Sequence, residues 1–167
     1  MDRALVIPGL EGGPASCDLA QHGLSDFELK LTADEVSLFL DEVFPGAMEH
    51  FSIEELRPMH ARIRMPFQPW RLRPGGTISG PSLMALADTG LWVALLGMIG
   101  REALSVTSHL DIDFLRKPAP VDVIAHTTLH KLGKRLAVGD VLMFSDGEDS
   151  PCARASVTYA IPSSYRG

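Results

Sequence analysis

The stretch from Ser79 to Gly100 limits what this chain can fold into more than any other part of it. Ser79 and Gly80 suit a helix cap, and Pro81 suits a first helical position, where its missing N–H is not needed. Gly100 before Arg101 is a natural stop. Apolar side chains occur almost all round the helix between them, so other structure has to wrap it. One ionisable group, Asp88, interrupts the run, and its neighbours three and four residues away are Met84, Ala85, Leu91 and Trp92, none able to pair a charge. A carboxylate in such a place needs an explanation. A membrane span has the right length, but a central Asp costs about 2.5 to 3.5 kcal/mol on insertion scales, and no second such run is present. A core helix whose Asp88 meets a donor or an edge, and a carboxylate held among apolar groups as base or nucleophile, both remain open on these residues alone.

The chain of 167 residues is long enough for one domain with a core of its own. Its net charge of −6 argues against nucleic-acid binding as the main business. Two cysteines, Cys17 and Cys152, make no disulfide framework, and no basic-then-apolar leader opens the chain, so a cytoplasmic setting is expected. Residues 1–30, with Pro8, Gly9, Gly12, Gly13, Pro14 and Gly23, read as an N-terminal arm, and residues 31–167 as a single domain.

Thr32 to Glu35 is a capping-box pattern opening an amphipathic helix through Val36, Phe39, Leu40 and Val43. From Phe51 the period becomes two: Met59, Ala61, Ile63 and Met65 alternate with His60, Arg62 and Arg64. Residues 67–76 read as a loop into the central helix. After it, Val106, Ser108, Leu110, Ile112 and Phe114 share one strand face, with Thr107, His109, Asp111 and Asp113 on the other. Val123 to Leu129, Leu136 to Phe144 and Ala153 to Ile161 alternate likewise, with a tight turn at Leu132 to Arg135. Hairpin-linked strands imply an antiparallel sheet. The expected fold is α+β, an antiparallel sheet wrapped around one long central apolar helix.

Gly76-Thr77-Ile78-Ser79-Gly80-Pro81 followed by Leu86-Ala87-Asp88 resembles the Gly-x-x-His-Gly-Gly and Leu-x-Asp pattern of hotdog-fold thioesterases of the phenylacetate-degradation (PaaI-like) type. Val106-Thr107-x-x-Leu110-x-Ile112-x-Phe114-Leu115-x-x-Pro118 and Ala153-x-Ala155-x-x-Thr158-Tyr159 are similar to two of their strands. The resemblance runs from about residue 51 to 161 and implies a hotdog fold, hydrolysis of acyl-CoA or acyl-carrier thioesters, and dimers that pair into tetramers. It places the catalytic carboxylate at Asp88, the N–H that holds the thioester carbonyl at Gly80, and the hydroxyl that assists the attacking water at Thr107. Ser79 stands where the family has His, Pro81 where it has a second Gly, and Arg73 where some members have Asn. Arg116, Lys117, Lys134 and Arg135, with Lys131, cluster near strand ends and are the candidates for the phosphates of coenzyme A, which enters as part of the substrate; no separate cofactor is expected.

Spacing adds a deduction of its own. Gly80 and Asp88 are eight residues apart, about 12 Å along one helix, whereas an oxyanion donor sits about 3 Å from its oxygen. If both serve one thioester, they come from two chains, which makes an isologous dimer with sites at its interface. His126 and His130 would lie roughly 13 Å apart on one strand, too far to share an ion, so no metal site is expected. Asp111 and Asp113 with His109 read as the wet face of a strand, and Met84 and Trp92 as core. Two other functions compete: a hotdog hydratase or dehydratase, which needs a His–carboxylate couple, and a non-catalytic acyl-CoA-binding or regulatory protein.

Overall fold

The computed structural model describes residues 28–165, so most of the expected arm, Cys17 included, lies outside the described residues. Helix α1 spans Ala33–Val43. Its capping box forms as the sequence predicts: the Glu35 N–H donates to Thr32 Oγ1 at 3.3 Å, and the Thr32 N–H donates to Glu35 Oε2 at 2.8 Å. Val36, Phe39 and Leu40 are its buried face.

Six strands form one antiparallel sheet: β1 (Ser52–Arg57), β2 (His60–Met65), β5 (Val106–Phe114), β6 (Val123–Leu132), β7 (Leu136–Ser145) and β8 (Ala153–Ala160). A two-residue pair, β3 (Leu72–Arg73) and β4 (Thr77–Ile78), stands apart, β3 within the expected loop and β4 just after it. The order across the large sheet is β1-β2-β6-β7-β8-β5, so β5 sits at an edge. Strand β1 escapes the period-two reading because its register shifts between Ile53 and Glu55. The turn that joins it to β2 is equally disguised, since Met59 rather than a glycine holds the left-handed position, at φ +64°.

Helix α2 (Gly80–Ile99) lies across the sheet. Leu83, Leu86, Leu91, Leu95 and Leu96 are each 1% exposed or less, and burying each leucine stabilises the fold by about 1.5 to 3 kcal/mol. Two glycines let helix and sheet approach. A Cβ on Gly90 would stand 2.6 Å from Thr127 Oγ1, and one on Gly139 of β7 would stand 2.6 Å from Leu91 Cδ1. The helix is long and apolar enough to cross a membrane, but 72% of its most apolar window is buried within the protein. The wrapping is incomplete, however. Pro81, Met84 and Ala85 are exposed and Asp88 half-buried, so one stripe of α2 has no cover within the described residues, and Met84 is not the core residue its position predicts.

Candidate functional site

Asp88 projects from the middle of α2 toward the start of β5 and the end of β8. Strict alternation would turn Thr107 away from it. The β5–β8 register shifts between Thr107 and His109, however, so Thr107 pairs with Tyr159 while Leu110 pairs with Val157. Opposed residues on antiparallel strands share a face, and Tyr159 and Val157 are both buried on the helix side. The bulge at Ser108 thus brings Thr107 to the inner face, where the sequence pattern predicts Val106 and Ser108. Val106 is instead 58% exposed, and the Ser108 hydroxyl donates to the Thr158 carbonyl at 3.2 Å.

Two donors then meet one oxygen of the carboxylate. Thr107 Oγ1 donates to Asp88 Oδ1 at 2.5 Å, and Tyr159 Oη donates to the same atom at 2.8 Å. Among the described residues Oδ2 has no such partner, which leaves that oxygen available to a ligand or water. Burial, reinforced by the Asp88 charge, pushes the Tyr159 phenol well above its usual range, so it remains an O–H donor. Tyr159 is a site residue the spacing argument passed over. The signal was present: a tyrosine on the inner face of a strand has a hydroxyl that needs a partner. Asp88, Thr89 and Trp92 line a cavity of about 390 Å³ with Leu40, Phe44 and Phe51. Trp92 is therefore half core and half cavity wall.

Gly80 opens α2 at the other end of this geometry. Ser79 occupies the N-cap position, but its side chain makes no cap bond. Pro81 offers no N–H, and the Ser82 N–H already donates to the Ser79 carbonyl at 3.1 Å, so the hydroxyl turns to Ser82 Oγ at 3.0 Å. Pro81 is accordingly the second helical residue, not the first. Among the described residues nothing accepts from the Gly80 N–H, which points out of the positive end of a 20-residue helix. A Cβ on Gly80 would lie 3.1 Å from the Phe114 ring, so the glycine lets that ring sit close over the backbone. Gly80, Leu83 and Phe114 line a second cavity, of about 380 Å³, rimmed by Arg73, Arg116 and Lys117. The cavities of Gly80 and Asp88 share no residue.

The expected basic cluster is divided. Arg116 follows β5 and is tied to the start of β8, its N–H groups reaching the Pro151 and Cys152 carbonyls. Lys134 and Arg135 occupy the β6–β7 turn at the far end of β8, where the Ile161 N–H donates to the Arg135 carbonyl at 2.8 Å. An eight-residue strand separates the groups by about 23 Å, because sequence proximity to strand ends does not say which end. His109, Asp111 and Asp113 are exposed, as the wet-face reading has it.

A single long apolar helix held against an antiparallel sheet is the hotdog arrangement. The Thioesterase superfamily profile matches residues 75–152. A candidate thioesterase of Silicibacter sp., known from a crystal structure, is 46% identical over 81% of this chain and 95% of its own, with a TM-score of 0.76. The chain belongs to the thioesterase superfamily, in its hotdog-fold branch. More distant structures share the fold. A thioesterase of Haemophilus influenzae is 19% identical over 81% of this chain and 94% of its own, with a TM-score of 0.70. A variant of the phenylacetic acid degradation protein PaaI of Thermus thermophilus is 24% identical over 69% and 97%, with a TM-score of 0.60. No curated protein matches the chain. Thioester hydrolysis is the activity this kinship supports.

Proposed function

We propose that the protein hydrolyses acyl-CoA thioesters at sites shared between two copies, with Asp88 as the activating carboxylate. The observation that carries this reading is the asymmetric loading of Asp88. Thr107 and Tyr159 hold Oδ1, which fixes the side chain and leaves Oδ2 to take a proton from water. The water oxygen bonds to the thioester carbon and the carbonyl electrons move to oxygen. The Gly80 N–H at the positive helix end receives that oxyanion. When the intermediate collapses, the C–S bond breaks and the sulfur leaves with the proton that Asp88 took, giving an acid and a thiol. Attack by Asp88 itself uses the same oxygen: the C–S bond breaks as the thiolate leaves, and water then hydrolyses the resulting anhydride to give the acid and free Asp88.

The separation of the two cavities supports a second copy. Gly80 lies beside Phe114 at one end of β5, and Asp88 beside Thr107 at the other. Antiparallel pairing of this edge strand with itself about a two-fold axis sets the Phe114 end of one copy against the Thr107 end of the other, which joins Gly80 to Asp88. Opposed residues must share a face, so the axis runs between one residue and the same residue of the other copy. At Leu110 it sets His109 against Asp111 of the other copy; at Asp111 it would set two carboxylates together. The same rotation brings Arg116 and Lys117 of one copy toward Lys134 and Arg135 of the other, reuniting a basic rim for the phosphates. The uncovered stripe of α2 is where the second copy's helix would lie.

The test is complementation. Thiol release from acyl-CoA is measured for Gly80→Pro, which removes the N–H, for Asp88→Asn, and for an equimolar mixture refolded together. Each heterodimer has one doubly altered and one intact site, so the mixture should recover about a quarter of wild-type activity. Recovery of none, from variants that fold, contradicts a shared site.

A further inference from the structure

Several arginines in this protein meet acids: Arg64 reaches Glu54, Asp122 and Asp146, Arg154 reaches Asp140, and Arg101 reaches Glu42. Arg71 does not. It is 3% exposed, and among the described residues no carboxylate pairs with it. Its guanidinium has a 3.3 Å bond to the His50 carbonyl, a contact to Met65 Sδ at 3.1 Å, and an Nε with no partner. The Trp70 ring lies 4.3 Å from its centre and the Phe51 ring 5.7 Å. Aromatic faces offset part of the desolvation of a cation but supply no anion.

Arg71 lines a cleft of about 350 Å³ with Trp70, His50, Phe51, Ser79 and Ser82. Pro81 lines it too, so the two residues flanking Gly80 both face it. The Arg71 carbonyl accepts the Ser79 N–H at 2.8 Å, which ties the cation to the start of α2. His50 and Phe51 are shared with the cavity at Asp88, so the cleft continues the Asp88 cavity along α2. A buried guanidinium with no acid beside it, in a cleft that two serines also line, suits a compact planar anion. The phosphates of coenzyme A have exposed partners elsewhere, in Arg73, Arg116 and Lys117 around the other cavity.

We propose that this cleft is a carboxylate-recognising subsite, and that the preferred thioesters carry a free carboxylate on the acyl group. The inference rests on the thioesterase reading above and adds the acyl class to it. The experiment compares kcat/KM for length-matched pairs: succinyl-, glutaryl- and adipyl-CoA against butyryl-, valeryl- and hexanoyl-CoA. At the length that spans the site, the carboxylated member should be favoured by at least about tenfold, and Arg71→Met should bring the ratio toward one. Hydrolysis of the neutral series with no preference at any length overturns the subsite and leaves the thioesterase reading standing. Binding supplies an arm that needs neither turnover nor the variant: glutarate should raise the melting temperature of the wild-type protein where the neutral, length-matched valeramide does not. Failure of glutarate to do so, or an equal rise with inorganic phosphate, also overturns the proposal.

Discussion

Replacing Asp88 with Asn separates chemistry from architecture at this site. In the wild-type protein Oδ1 accepts from both Thr107 and Tyr159. The amide oxygen of Asn has two lone pairs, so it can keep both donors, and its NH₂ group then stands where Oδ2 was. The substitution turns the one unengaged acceptor into a donor at unchanged volume. Stability should fall little, since two charge-assisted bonds become neutral ones, a loss of about 1 kcal/mol or somewhat more. Activity should fall far, because proton abstraction by a positioned base contributes about 10²- to 10⁴-fold. That range corresponds to about 2.7 to 5.4 kcal/mol in the barrier. The assay is thiol release from an acyl-CoA, read alongside a thermal melt of the same preparation. A folded Asp88→Asn protein that keeps turnover within tenfold of wild type would refute the assignment of Asp88 and the mechanism built on it.

Tyr159→Phe removes one of the two donors on Oδ1 and leaves Thr107, so kcat should drop by about tenfold with KM nearly constant; steady-state kinetics on the folded variant check this. Thr107→Ala should cost less than Asp88→Asn in the same assay, since Tyr159 still holds the carboxylate. Gly90→Ala places a methyl 2.6 Å from Thr127 Oγ1 and should destabilise the fold by about 1 to 3 kcal/mol in urea melts. Thr127→Val replaces a buried hydroxyl that has no partner, and should be neutral or stabilising. The Phe67 N–H, with help from Arg64, holds the Asp122 carboxyl below its usual range. Its contribution is therefore present at neutral pH and lost as pH falls through about 4 and below, so the melting-temperature gap between wild type and Asp122→Asn should close in acid.

Much of the site was visible along the chain. An acid without a helical partner marks Asp88, and the eight-residue spacing to Gly80 holds the two halves of the proposed chemistry about 12 Å apart along the helix. Periodicity placed α1, α2, β2 and the strands from β6 to β8. It failed where a bulge breaks the count. The shift at Ile53 hid β1, and the shift at Ser108 put Thr107 on the wrong face of β5. The basic residues illustrate the same limit, since Arg116 and Arg135 both adjoin strand ends yet stand at opposite ends of β8.

What the sequence alone determined, then, was which segments are helix or strand, which faces are apolar, and that a solitary carboxylate would sit in the middle of the buried helix. Those properties follow from neighbours within a few residues, where 3.6- and 2-residue periods operate. Tertiary structure decided which oxygen of Asp88 is occupied, that Tyr159 occupies it, and that the most buried arginine would have no acid beside it among the described residues. Each of these depends on groups far apart in the chain, Asp88 and Tyr159 being 71 residues apart. Such meetings are set by strand order and by one-residue slips in register, which no local period records.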